Sequence, residues 1–125
     1  MRTKTRTATQ LPDPSVIEGI WLELQRLNIP MKAWWAEPVG EHTGEPEYGM
    51  EVDREALQDW EVDGLMFLWD PEHGWTLHDW CTPQVPNQGV TALDVPGDPF
   101  DAPAVAAHLR KVVVGEIDEF RTAVA

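Results

Sequence analysis

The chain has 125 residues, 42% of them apolar, and a formal charge of −13 at pH 7. That length suits one hydrophobic core and not two, and no apolar run approaches the roughly 20 residues that cross a bilayer. So acidic a surface excludes direct binding of the folded part to nucleic-acid phosphate or to anionic lipid.

The first ten residues, MRTKTRTATQ, hold Arg2, Lys4 and Arg6 with no apolar stretch behind them, which reads as a disordered basic tail and not as a secretory signal. The expected organisation is this tail over 1–10 and a single α+β domain over 11–125, where 6 basic residues face 22 acidic ones. The single Cys81 rules out an internal disulfide framework and points to a cytoplasmic protein. Seven Trp supply much of the available core area, because each buried aromatic removes roughly 150–250 Å² from water.

The stretch LPDPSVIEGIWLELQRLNIP predicts a helix over 14–27. Asp13 is the N-cap, Pro14 suits the first turn, and Val16, Ile17, Ile20, Leu24 and Leu27 form the apolar stripe, with Trp21 beside it. Asn28 and Pro30 end it. MKAWWAE follows as a strand over 31–37, with adjacent Trp34 and Trp35 directed to opposite faces. After a Gly, Pro and Glu loop, Tyr48, Met50 and Val52 alternate with polar residues and predict a second, edge-like strand. Asp53 then caps a short helix carrying Ala56 and Leu57 and ending near Trp60.

GLMFLWDPEHGWTLHDWC is a hairpin. Asp70 and Pro71 open the turn, and Gly74 supplies a left-handed residue at the end of a four-residue loop. Pairing Asp70 with Trp75 sets Trp69 against Thr76, Phe67 against His78 and Leu65 against Trp80, with the two Trp on opposite faces. TPQVPNQG reads as a loop and VTALDV as a further strand. Asp101 caps a last helix with Val105, Leu109, Val112 and Val113 inward, and Ile117, Phe120 and Val124 resume helical spacing after Gly115. The order predicts an α+β fold, an antiparallel sheet of three to five strands with the N- and C-terminal helices packed on one face.

The words LMFLWDPEHGWTL and VTALDVPGDPFDAPAVAAHL resemble a family of small acidic proteins of unknown function from Streptomyces and other actinobacteria. The shared features are a strand ending in Trp-Asp, a His-Gly-Trp turn and a later helix rich in Pro, Ala and Val. The resemblance covers the C-terminal half, implies an actinobacterial cytoplasmic domain, and carries over no catalytic residues.

For chemistry, His73, His78 and Cys81, with Asp70, Glu72 and Asp79 nearby, have ligand atoms. Yet residues three apart on a strand point to opposite faces, so His78 and Cys81 do not share an ion without a bulge. No G-x-S-x-G, P-loop, G-x-G-x-x-G or H-E-x-x-H pattern occurs. The expectation is a protein with neither metal nor cofactor and no catalytic residues. Residues 37–63 hold ten acidic side chains and one basic, Arg54. One reading is a solvated face. The sharper one is a docking surface for a basic protein, DNA-binding proteins among the candidates, built from Glu41, Glu45, Glu47, Glu51, Asp53, Glu55, Asp59, Trp60, Glu61 and Asp63. The alternatives are a DNA-mimic inhibitor of a nucleic-acid-binding protein and a small hydrolase or ligand-binding domain. Monomer and homodimer are both compatible with the sequence.

Overall fold

A computed structural model of the protein describes residues 13–81 and 87–117. Helix α1, Pro14–Arg26, begins where the Asp13 carboxylate accepts the Ser15 N–H at 2.9 Å and ends where Asn28 adopts φ 68°, a left-handed stop. Ile17, Ile20 and Leu24 are wholly buried, as their spacing requires. Strands β1 (Met31–Glu37), β2 (Glu47–Val52), β3 (Gly64–Asp70), β4 (Gly74–Cys81) and β5 (Asn87–Ala92) form one antiparallel sheet in chain order. A 3-10 turn, Arg54–Leu57, joins β2 to β3, and α2, Ala102–Val113, closes the described chain. The expected tail over 1–10 and the pattern of Phe120 and Val124 lie outside the described residues.

The fold is therefore α+β, with both helices on one face of a five-stranded sheet. Tyr48, Met50, Val52, Leu65, Phe67, Trp75 and Leu77 meet the helices there, with Val105, Ala106, Leu109, Val112 and Val113 on the α2 side. β2 lies between β1 and β3, so it is an interior strand and not the expected edge; its alternation comes from packing one face on the helices. The short helix is shorter than expected, because its 3-10 turn ends at Leu57 and leaves Trp60 beyond it. β5 starts at Asn87, inside the stretch read as loop.

The hairpin differs from the expected register by one residue. Asp70 pairs with Gly74 and not with Trp75, giving a three-residue loop. The cause is local: the Asp70 carboxylate accepts the N–H groups of Glu72 and His73, both at 2.9 Å, and Gly74 at φ 70° closes the tight turn. One residue of slip exchanges the faces of a strand. Trp69 thus pairs with Trp75, Phe67 with Leu77 and Leu65 with Asp79, and both Trp face the helices together. His73 stays at an exposed tip, its ring against Asp70 at 3.1 Å.

Aromatic rings fix the approach to α2. Trp69 meets Phe100 edge-on with centroids 4.9 Å apart, Tyr48 meets Phe100 at 6.0 Å, and Trp75 Nε1 donates to the Pro99 carbonyl at 2.9 Å. Tyr48 Oη donates to the Asp13 carbonyl at 3.1 Å, and burial, then the Asp13 charge, push its hydroxyl up to about 12. These contacts place the start of each helix at the Tyr48 end of the sheet. Both helices then run to the opposite end, where α1 leads into Met31 and Val113 lies against Trp60. Among the described residues, no helix is long and apolar enough to cross a membrane.

Candidate functional site

The sheet divides the acidic segment. Glu41 and Glu45 are exposed in the β1–β2 loop, at the same end as the Asp70–Gly74 turn. Asp53, Glu55, Asp59, Trp60, Glu61 and Asp63 lie at the other end, a strand length away, or roughly 17–20 Å. Glu51 is between them on the face away from the helices, half-buried and 3.6 Å from Lys32 Nζ. The ten-residue surface expected from sequence is therefore not one surface.

Glu47 is withdrawn from it altogether, being fully buried. Its Oε2 accepts Trp35 Nε1–H at 2.6 Å and lies 3.0 Å from His42 Nδ1, while Oε1 accepts the His42 and Thr43 N–H groups and the Thr43 hydroxyl at 3.1–3.2 Å. Burial alone would raise this carboxyl, but the hydrogen bonds from His42, Trp35 and Thr43 outweigh it, so Glu47 sits below the usual carboxylate range. Its role is to hold the loop, and it offers no charge to a partner.

Other members have local duties. Asp53 caps the 3-10 turn by accepting the Glu55 N–H at 2.9 Å. The Glu61 carbonyl accepts Cys81 Sγ–H at 3.5 Å, and the Asp63 N–H donates to the Trp80 carbonyl at 2.9 Å. Glu61 is exposed and Asp63 half-buried.

What the fold does bring together is Glu55, Asp59 and Trp60. They line an open groove of about 450 Å³ with Asn28, Ile29 and Pro30 from the exit of α1 and Val113 and Val114 from the exit of α2. Trp60 Nε1 donates to the Val113 carbonyl at 2.9 Å, which fixes the indole as a wall. Val114 is 46% exposed. Two helix C-termini end here, each carrying the partial negative charge of its macrodipole. Of the cations in their last turns, Arg26 pairs with Glu23 at 2.8 Å and Arg110 with Glu116 at 3.5 Å, while Lys111 has no ion-pair partner among the described residues. Neither Glu55 nor Asp59 has an ion-pair partner among the described residues. The groove is thus negative at its rim, and its walls mix Ile29, Trp60 and Val114 with the polar Asn28 and Gln58.

A second polar cluster lies on the sheet face away from the helices. His78 Nε2 is 3.1 Å from Thr76 Oγ1, and burial, then the nearby His42, hold its imidazole below its ordinary value. Trp35 and Trp80 lie flat over Gly49 and Gly64, their cross-strand partners, so closely that a Cβ at either Gly would overlap the indole. Among the described residues, no three His, Cys, Asp or Glu are grouped to hold a metal ion.

The sequence named Glu55, Asp59 and Trp60 but missed the groove's other walls. The helix stop at Asn28-Ile29-Pro30 and the Val112–Val114 run were visible, yet only the parallel course of the helices brings them together. No protein-family profile, curated protein or solved structure matches this chain.

Proposed function

We propose that this protein is a non-catalytic cytoplasmic interaction module that holds a basic segment of a partner protein in the groove between the ends of α1 and α2. The observation that carries this reading is the meeting of two unpaired carboxylates, Glu55 and Asp59, with the Trp60 wall at two helix C-termini. A Lys or Arg fits both parts. Its charged head sits between the carboxylates while its alkyl stem lies along Trp60, Ile29 and Val114. The overall charge of −13 adds long-range attraction that raises the association rate for a basic partner.

The test uses short peptides carrying Lys or Arg flanked by Leu, titrated while the Trp60 indole N–H signal is followed by NMR. Binding that weakens as salt rises, is lost in Glu55→Lys/Asp59→Lys and persists in Glu41→Lys/Glu45→Lys supports the groove. Equal loss in both double variants would favour a dispersed acidic surface, as the mimicry reading requires. Equal retention in both sinks the proposal.

A further inference from the structure

The two edges of the sheet are not alike. β1 is guarded: its register shifts between Met31 and Ala33, Lys32 projects from the irregularity, and Pro30 and Pro38 flank it. β5 carries fewer of these devices: Pro86 precedes it as Pro30 precedes β1, but it has no charged residue and no irregularity of its own. Its six residues pair with β4 without a shift, and no Pro or charged residue interrupts Asn87–Ala92.

The direction of its free hydrogen-bonding groups follows from the ladder. The Leu93 N–H donates to the Trp75 carbonyl at 3.0 Å, so Leu93, Thr91 and Gly89 turn their backbone groups toward β4. Val90 and Ala92 therefore turn theirs outward, and among the described residues nothing hydrogen-bonds them. Val90 is also 61% exposed, more than Leu22 at 52%, the other large apolar residue exposed on a helix or strand among the described residues.

Charge decides what can pair here. In a chain of −13, Trp80–Leu93 is the longest stretch without a charged residue, bounded by Asp79 and Asp94. Two copies approaching by any acidic surface repel each other, whereas two β5 edges meet with no like charges opposed. We infer that β5 is a homodimer edge, at which a second copy of this chain adds its own β5 antiparallel about a two-fold axis near Val90. The axis sets Val90 against its counterpart and closes a continuous ten-stranded sheet, so the same outward N–H and C=O groups serve both copies. This interface shares no residue with the groove, which works by opposite charges.

The experiment is sedimentation equilibrium of the full chain over a range of concentrations, with Val90→Lys as the edge-blocking variant and Val39→Lys, in an exposed loop, as the control. The expected result is a mass moving from 14.1 kDa toward twice that value as concentration rises. Dimerisation should strengthen with salt, because screening relieves the repulsion between copies. Val90→Lys stays at the monomer mass while keeping the wild-type circular dichroism, and Val39→Lys dimerises like wild type. Hydrogen exchange gives a second readout: the Val90 and Ala92 amides become protected as the dimer fills. A wild-type monomer at every concentration, or a dimer that survives Val90→Lys with both amides still exchanging freely, overturns the inference. A partner strand from another protein would likewise need that free edge, but would leave the purified chain monomeric and so counts against self-pairing.

Discussion

Trp35 and Glu47 are joined by a 2.6 Å hydrogen bond from the indole N–H to a carboxylate that has no exposed surface. The same carboxylate gathers His42 and Thr43, so one buried charge organises the whole β1–β2 loop. Glu47→Ala leaves several donors without an acceptor and is expected to cost about 2–4 kcal/mol. Urea unfolding measures this. Because Glu47 is buried, the variant should bind Lys peptides as wild type does in conditions where it is folded.

Stability should also fall with acid in two steps, of the same sign. His78 is held below its ordinary value of 6.5, so its contribution is complete above that pH and is lost as pH falls through the folded value. Glu47, also lowered, contributes fully above the ordinary carboxylate value of 4.5 and loses that contribution as pH falls further. Urea midpoints measured from pH 8 to pH 4 should therefore decline first near neutrality and again in the carboxylate range. His78→Asn should flatten the first decline and leave the second. An unchanged first decline would show that another group causes it.

Gly49 and Gly64 test the packing of the face away from the helices. Each is covered by the indole of its cross-strand partner, Trp35 and Trp80, so Gly49→Ala and Gly64→Ala must displace a ring. Each substitution is expected to cost about 1–3 kcal/mol and to change the near-ultraviolet circular dichroism of the Trp. Gly49→Ala should be the more damaging, because moving Trp35 also breaks its bond to Glu47.

What the sequence made legible was local. Asp13 and Asp101 announced both helix starts, the 3.6-residue stripes named Ile17, Ile20, Leu24, Val105 and Leu109, and the opposite facing of Trp34 and Trp35 followed from strand alternation. Two kinds of information were not local. The hairpin register turned on Asp70 accepting two N–H groups, which shortened the loop by one residue and exchanged the faces of β4. The burial of Glu47 came from a loop folding back over its own strand, so a residue counted among surface acids became an anchor. The groove likewise needed the two helices to end side by side.

Trp60 separates stability from binding within that groove. Its N–H holds the Val113 carbonyl at 2.9 Å while its ring forms the wall, so Trp60→Phe keeps most of the wall and removes the hydrogen bond. That variant should lose about 1 kcal/mol of stability, the net worth of one such bond, and should keep Lys-peptide affinity within about threefold. Trp60→Ala removes the wall as well and should weaken the peptide about tenfold, since the alkyl stem and cation both lose the aromatic face. Guanidinium unfolding and peptide titration on the two variants measure these effects separately. If Trp60→Phe and Trp60→Ala bind equally well, the ring is only a strut between the 3-10 turn and α2, and the peptide docks elsewhere.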